Sequence, residues 1–285
     1  RKNFWYFRFI FLFQLYVFYF YLVTMDLNKP NTILEILNIA IEAGKEILNF
    51  YNKNIIVKSK EDNSPLTIAD INSKKIIINK LKNIDTSIPI LSEESLVDWS
   101  ERKSWRKYWL IDPLDGTKEF INRNGEFTVN IALIEKNYPI FGVIYAPAKS
   151  FLYYAIKNNG AFKTNTSLKI NNFDKFKIIK SNKKQSDPIK VIGSRSHSNI
   201  EFTNWLDNNL DNYELVKAGS SLKFCLIAEG DADIYPRLGP TSEWDIAAGH
   251  IILEEAGGSI SNLDKNKILY NTKESVINPY FIAKN

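Results

Sequence analysis

Apolar positions recur along this chain at helical or strand spacing and divide it into an ordered series of elements. Leu34, Leu37, Ile41, Leu48 and Tyr51 fall on one side of a helix that Thr32 can cap. Residues 55–57 read as a short strand that leads into the polar loop 58–65. A second helix is expected over about 68–82, with Ile71 and Ile78 on one side. Residues 88–91 form an apolar strand ending at Ser92-Glu93-Glu94, and residues 108–111 form another ending at Asp112. Phe127, Val129, Ile131 and Leu133 alternate with more polar neighbours, the mark of a strand in an antiparallel sheet. Residues 139–145 and 151–156 are its expected partners.

The stretch 171–188 is lysine-rich and weakly apolar, and a domain boundary is expected there. Beyond it the elements alternate: strand 190–193, helix 199–208, strand 213–216, helix 221–229, strand 232–235 and helix 244–256. Gly257-Gly258 stops the last helix, and strands follow near 258–261 and 280–283. The expected architecture is an α+β, antiparallel-sheet half over 25–180 and a smaller α/β half over 181–285. Catalytic groups would sit at strand ends between the two.

Residues 1–24 do not fit this pattern. The segment 4–21 holds 12 of the chain's 38 aromatic residues, and 4–23 is apolar except for Arg8 and Gln14. As a secretory signal it lacks a small-residue cleavage site, since Leu22-Val23-Thr24 is bulky. As a membrane anchor it is long enough, but its aromatic density exceeds what a lipid span needs. The favoured reading is a non-globular extension from upstream translation, with Met25, the chain's one methionine, as the true start.

Composition narrows the chemistry. Cys225 is the one cysteine, which excludes an internal disulfide and a cysteine-rich zinc site and suits a reducing compartment. His197 and His250 are the two histidines, far apart in sequence, so metal chemistry must rest on carboxylates, and oxygen ligands favour a hard cation such as Mg²⁺. Three of the five net positive charges come from Arg1, Lys2 and Arg8. The remainder is too small and dispersed for a nucleic-acid polymer groove.

Asp112-Pro113-Leu114-Asp115-Gly116-Thr117 directly follows an apolar strand, so its polar groups emerge where ligands collect in layered folds. Two carboxylates three residues apart in a stiff turn can point at one cation, with the Leu114 carbonyl between them. Gly116 permits close backbone approach, and its amide with that of Thr117 can hold phosphate oxygens. The competing reading is an ordinary polar turn. Glu93 and Glu94 equally suit a solvated strand edge and Asp245 a helix cap, and Asp70 is as bland in isolation.

Taken together these segments resemble the inositol monophosphatase superfamily of metal-dependent, lithium-sensitive phosphatases. The resemblance is carried by Asp112 through Thr117, Ser92-Glu93-Glu94, Trp244-Asp245, Ala247-Ala248-Gly249 and Glu255-Ala256-Gly257-Gly258, in that family's order. It extends over 26–285 and is greatest to the bacterial 3'(2'),5'-bisphosphate nucleotidase branch, through stretches 60–70, 109–128, 193–197 and 219–240. It implies an αβαβα, sugar-phosphatase-like sandwich. It also implies two or three Mg²⁺ ions held by Glu93, Asp112, the Leu114 carbonyl, Asp115 and Asp245. Asp70 would help hold a further metal or position water, and Thr117, with Glu93 or Asp70, would orient the attacking water.

Gly116 and Thr117 would contact the phosphate, beside the metal-binding Glu93, Leu114, Asp115 and Asp245. Ser220, Lys223 and Arg237 would lie near the nucleotide, as would 194–197. For Ser220 a helix-capping role, for Lys223 a solvated position, and for His197 a structural or substrate-side role remain alternatives. The implied reaction is hydrolysis of the 3'-phosphate of adenosine 3',5'-bisphosphate, and of its phosphosulfate, by direct in-line attack of water. That places the chain in sulfur metabolism, in the cytoplasm, as a monomer or homodimer. Inositol monophosphate or a sugar phosphate is the alternative substrate, and a regulator that binds phosphometabolites is the non-enzyme alternative. An inner-membrane association would run through residues 1–24.

Overall fold

The computed structural model describes residues 26–27, 29–51, 57–59, 65–182, 184–194 and 200–285. The extension expected at 1–24, Met25, residues 55–56 of the expected first strand, and His197 lie outside these described residues.

Helix α1 spans Pro30–Tyr51. It begins ahead of Thr32, contrary to the expected cap, because proline suits a first helical turn whose N–H groups have no partner within the helix. The Lys29 carbonyl accepts the Thr32 N–H at 3.0 Å. A hairpin of β1 (Val57–Ser59) and β2 (Pro65–Thr67) leads into α2 (Ile68–Ile84). The buried stripe of α2 is Ala69, Asp70, Ser73, Ile77 and Leu81, not Ile71 and Ile78, which are half-buried. The apolar pattern misleads here because two polar residues are taken inward and hydrogen-bonded: Ser73 Oγ donates to the Pro113 carbonyl at 2.7 Å, and Asp70 accepts from Thr67.

A seven-stranded sheet follows. Its strands are β3 (Ile90–Ser92), β4 (Lys107–Asp115), β5 (Thr128–Glu135), β6 (Tyr138–Ala146), β7 (Phe151–Ile156), β8 (Gly160–Asn165) and β9 (Lys177–Ile179), in that spatial order. The β3–β4 pair is parallel and the others are antiparallel. Short helices α3 (Trp99–Arg102) and α4 (Thr117–Ile121) flank β4.

Alternate residues of these strands enter two different cores. Trp109, Ile111, Val129, Ile131 and Leu133 pack with α1 and α2. Tyr108, Leu110, Ala132 and Ile134 pack with helices from the C-terminal part of the chain. The alternation in β5 therefore does not separate core from solvent: Thr128 and Asn130 are as buried as their apolar neighbours.

The remaining chain builds a five-stranded sheet from β10 (Ile189–Ser194), β11 (Tyr213–Ala218), β12 (Ile234–Arg237), β13 (Ser259–Asn262) and β14 (Phe281–Lys284), ordered β11-β10-β12-β14-β13. The β10 pairs are parallel and the β14 pairs antiparallel. Helices α6 (Leu222–Ala228) and α7 (Glu243–Glu255) share the core between the two sheets, and α5 (Ile200–Asn209) packs on the outer face of the smaller sheet. The layers run αβαβα, as the resemblance implies. Where α7 crosses β6, a Cβ on Gly142 would lie 2.8 Å from the Ala248 carbonyl oxygen, so the helix can approach this closely only over glycine.

Candidate active site

A cavity of about 260 Å³ opens where β4, α4, α6, β12 and α7 converge. Its lining includes Glu93, Asp112, Leu114, Asp115, Gly116, Thr117, Ser220, Lys223, Arg237 and Asp245. Among the described residues, every expected metal, catalytic or substrate-contacting residue except Asp70 is on that wall, and the expected contacts at 195–197 lie outside the described residues.

Backbone geometry explains the convergence. Pairing of β4 with β5 shifts register between Asp112↔Asn130 and Asp115↔Thr128, which gives β4 one extra residue. Side chains three apart on a regular strand point to opposite faces, and one bulged residue brings them back to the same side. The segment expected as a turn is thus the end of an irregular strand. Gly116, at φ 84°, then turns the chain from β4 into α4 in a conformation that glycine adopts without strain.

Asp115 is held from two other segments, β5 and the start of α6: its Oδ2 accepts from the Ser221 N–H at 2.6 Å, Asn130 Nδ2 at 3.3 Å and Thr128 Oγ at 3.5 Å. Ser221 Oγ donates to Asn130 Oδ1 at 2.7 Å, locking the amide. Asp112 is fully buried; its Oδ1 accepts the Leu114 N–H at 3.0 Å, and its Oδ2 has no hydrogen-bond partner. Burial, then the charges of Glu93, Asp115 and Asp245, push Asp112 well above the usual carboxylate range. Burial raises Asp115 to about 6 against the opposing pull of Lys223, and raises Asp245 to about 8 with help from Asp115 and Glu93. Carboxylates that crowd one another in this way leave room for a cation. No group of three or more His, Cys, Asp or Glu side chains is already set as a metal cage among the described residues.

Asp70 sits beside the cavity as the third residue of α2. Its Oδ2 accepts from the Thr67 N–H at 2.8 Å and Thr67 Oγ at 2.5 Å, while its Oδ1 lies 3.4 Å from Thr117 Oγ. Asp245 has the same position in α7, with Oδ2 accepting the Ser242 N–H at 2.9 Å. Asp245 is therefore not the expected cap: Ser242 caps α7 and Thr67 caps α2, and each acid, as the third helical residue, accepts from its cap while lying at or beside the cavity.

Ser220 does not cap α6; it stands at φ 45° with its Oγ 3.3 Å from Thr128 Oγ. Lys223 is buried rather than solvated, with its ammonium 5.6 Å from the Tyr235 ring centre. Its pKa is lowered, chiefly by burial. Arg237 donates from Nη2 to the Pro240 carbonyl at 2.7 Å, and its Nε is buried without a partner.

The sequence pattern assigns no role to Thr128, Asn130, Ser221, Tyr235 or Thr241. A polar Asn130 between Val129 and Ile131 was the one available signal.

The family model for the inositol monophosphatase family matches residues 30–284. The 3'(2'),5'-bisphosphate nucleotidase CysQ of Salmonella typhimurium is 43% identical over 249 residues, which are 87% of this chain and 97% of that protein. The protein of the same name from Haemophilus influenzae is 39% identical over 250 residues, 87% and 90% of the two chains. The crystal structure of CysQ from Bacteroides thetaiotaomicron matches with a TM-score of 0.80 at 39% identity, over 91% of this chain and 98% of that one. The suhB protein of Bartonella henselae shares the fold with a TM-score of 0.71 at 22% identity, over 90% of this chain and 94% of that one.

Proposed function

Because this chain belongs to the inositol monophosphatase family, we propose that it hydrolyses the 3'-phosphate of adenosine 3',5'-bisphosphate to AMP and phosphate, and acts similarly on the corresponding phosphosulfate. The observation that carries this reading is one cavity that gathers Glu93, Asp112, Asp115 and Asp245 beside the cationic Lys223 and Arg237. Carboxylates suit a metal, and cations suit a substrate that carries a second anionic group.

Enzymes of this family are metal-dependent, generally on Mg²⁺. The residues present fit such an ion: the unpartnered Asp112 Oδ2 is an oxygen donor in the midst of carboxylates that raise one another's pKa. In our reading Glu93, Asp112, the Leu114 carbonyl, Asp115 and Asp245 hold two or three ions. Mg²⁺ there would supply Lewis acidity, lowering the pKa of water and offsetting charge on the phosphoryl oxygens. Thr117, with its hydroxyl 3.3 Å from the Leu114 carbonyl and 3.4 Å from Asp70, orients the attacking water together with Asp70 or Glu93. The amides of Gly116 and Thr117 contact the phosphate. Lys223 and Arg237, with Ser220, hold the rest of the nucleotide and set the direction of the leaving 3'-oxygen.

On this reading 25–180 carry most of the metal ligands and 181–285 most of the substrate contacts, with Asp245 shared between the two tasks. A lone, buried Cys225 suits a reducing, cytoplasmic setting, in which we take the chain to act as a monomer or homodimer. No helix among the described residues is long and apolar enough to cross a membrane.

The test is phosphate release by the full chain from adenosine 3',5'-bisphosphate and from inositol 1-phosphate, with Mg²⁺ and with EDTA. Mg²⁺-dependent preference for the nucleotide is expected. Preference for inositol phosphate would overturn the substrate, and binding without release from either would favour a regulator.

A further inference from the structure

Arg102 closes helix α3 with its side chain buried, at 3% exposure, and it does not line the cavity. A buried guanidinium is costly unless its donors are used. Here they are divided between two separate segments. On one side, Nε donates to the Val97 carbonyl at 3.1 Å, in the loop that runs on from Glu93. On the other, Nη1 donates to Asn271 Oδ1 at 2.6 Å and to the Lys273 carbonyl at 3.4 Å, and Nη2 donates to the Glu274 carbonyl. Asn271 Nδ2 donates back to the Arg102 carbonyl at 2.6 Å.

The segment held by Arg102 in turn holds the start of α7. The Asn271 N–H reaches both carboxylate oxygens of Glu243, at 2.9 and 3.0 Å. The Glu243 N–H donates to the Val276 carbonyl at 2.9 Å, and Asn278 Nδ2 donates to the Ser242 carbonyl at 2.7 Å. Asp245 lies on the next positions of that helix. A continuous run of hydrogen bonds therefore leads from the Glu93 loop through Arg102 to the Asp245 helix, outside the cavity.

We propose that Arg102 is a positioning residue that fixes the separation between Glu93 and Asp245 and thereby sets the affinity of the site for Mg²⁺. The proposal rests on the reading that these two carboxylates hold the metal. The residue type matters, because a planar guanidinium serves several acceptors at fixed angles while an ammonium is a single compact donor. The Trp99 ring, centred 4.9 Å from the guanidinium carbon, further limits its freedom. Without Arg102 the two segments keep their own elements but lose their common reference. Partners outside a metal's ligand set typically change its affinity about 10- to 100-fold.

The experiment titrates Mg²⁺ into the substrate-free protein, followed by calorimetry and by thermal shift. It compares the parent chain, Arg102→Gln, Arg102→Lys, Asp245→Asn and Asp233→Asn. Asp233 is a stability control outside the cavity: it is buried and accepts from the Ser186 and Lys190 N–H groups at 3.1 and 2.8 Å and from Asn285 Nδ2 at 3.0 Å. Arg102→Gln is expected to raise the Mg²⁺ Kd about tenfold or more, with Arg102→Lys between it and the parent. Asp233→Asn should lower Tm and leave Kd in place. In turnover, Arg102→Gln should need more Mg²⁺ for half-saturation and regain most of its kcat when Mg²⁺ saturates. An unchanged Kd in Arg102→Gln, with Asp245→Asn weakened, overturns this proposal alone. Equal weakening in Asp233→Asn also overturns it, and a parent chain that binds no Mg²⁺ overturns the metal reading as well. If Arg102→Gln does not fold, Arg102→Lys decides by the same criterion.

Discussion

Asp112 and Asp115 stand three positions apart on β4, a spacing that would separate their carboxyls across a regular sheet. The register shift opposite Asn130 and Thr128 removes that separation, and hydrogen bonds from Thr128, Asn130 and Ser221 then fix Asp115. The two acids were legible in the sequence because strand, proline, acid and glycine occur within one short window. Their supports were not, because Ser221 meets Asp115 across 106 residues of chain and no local pattern records that contact. Asp115→Asn keeps the side chain's size and its capacity to accept from Ser221 while removing the charge. It should lower Mg²⁺-dependent phosphate release by at least roughly a hundredfold, the upper end of what even outlying partners of a metal contribute. The metal-free protein should melt no lower than the parent, because a mutually repelling carboxylate is gone. A clear loss of Tm in the absence of metal would show that Asp115 is chiefly structural.

The third residue of each of α2 and α7 is an aspartate whose carboxylate accepts its own helix's cap N–H, Asp70 from Thr67 and Asp245 from Ser242. Each cap directs an acid along the N-terminal end of its helix, where the positive end of the dipole favours negative charge. A single residue thus serves both the element and the cavity, which is why the bland reading and the functional one coexist. It is also why apolar spacing misplaces the buried face of α2: Asp70 and Ser73 occupy the inner stripe, and Ile71 and Ile78 lie at its margins. Thr67→Ala removes the hydroxyl 2.5 Å from Asp70 Oδ2. The loss should be about 1 kcal/mol, read as a lower urea midpoint with an unchanged slope. Thr67→Ser should restore most of it. No change in midpoint would mean that the cap contributes nothing to α2 beyond its packing against α1.

On the scale of the whole molecule, the order of strands and helices after residue 188 was readable because α/β alternation repeats with clear punctuation. Strand β8 and the edge strand β9 are not legible in the sequence, since Lys177–Ile179 is a short run whose strand character comes from pairing Ile179 with Ala161. The five layers place the acid cluster between the sheets, and that burial has a thermodynamic consequence for the entire fold. Asp112, Asp115 and Asp245 hold protons more tightly in the folded chain than unfolded carboxyls do: burial raises all three, and neighbouring carboxylates add to it, at Asp115 through Glu93. Between the ordinary carboxylate range and about pH 8, the metal-free folded state therefore binds more protons than the unfolded one. Its stability falls as pH rises through that window. A cation that takes the place of those protons reverses the trend, because its affinity grows as the carboxyls ionise. The rise in Tm on adding saturating Mg²⁺ should thus be small near pH 6, where Asp115 is about half protonated and Asp245 largely so, and should increase through pH 8. Melting curves with Mg²⁺ and with EDTA across this range measure both slopes. The metal-free Tm should decline while the Mg²⁺ increment rises. An increment independent of pH would mean that the buried carboxyls are not where the metal binds, whatever their proximity in the cavity.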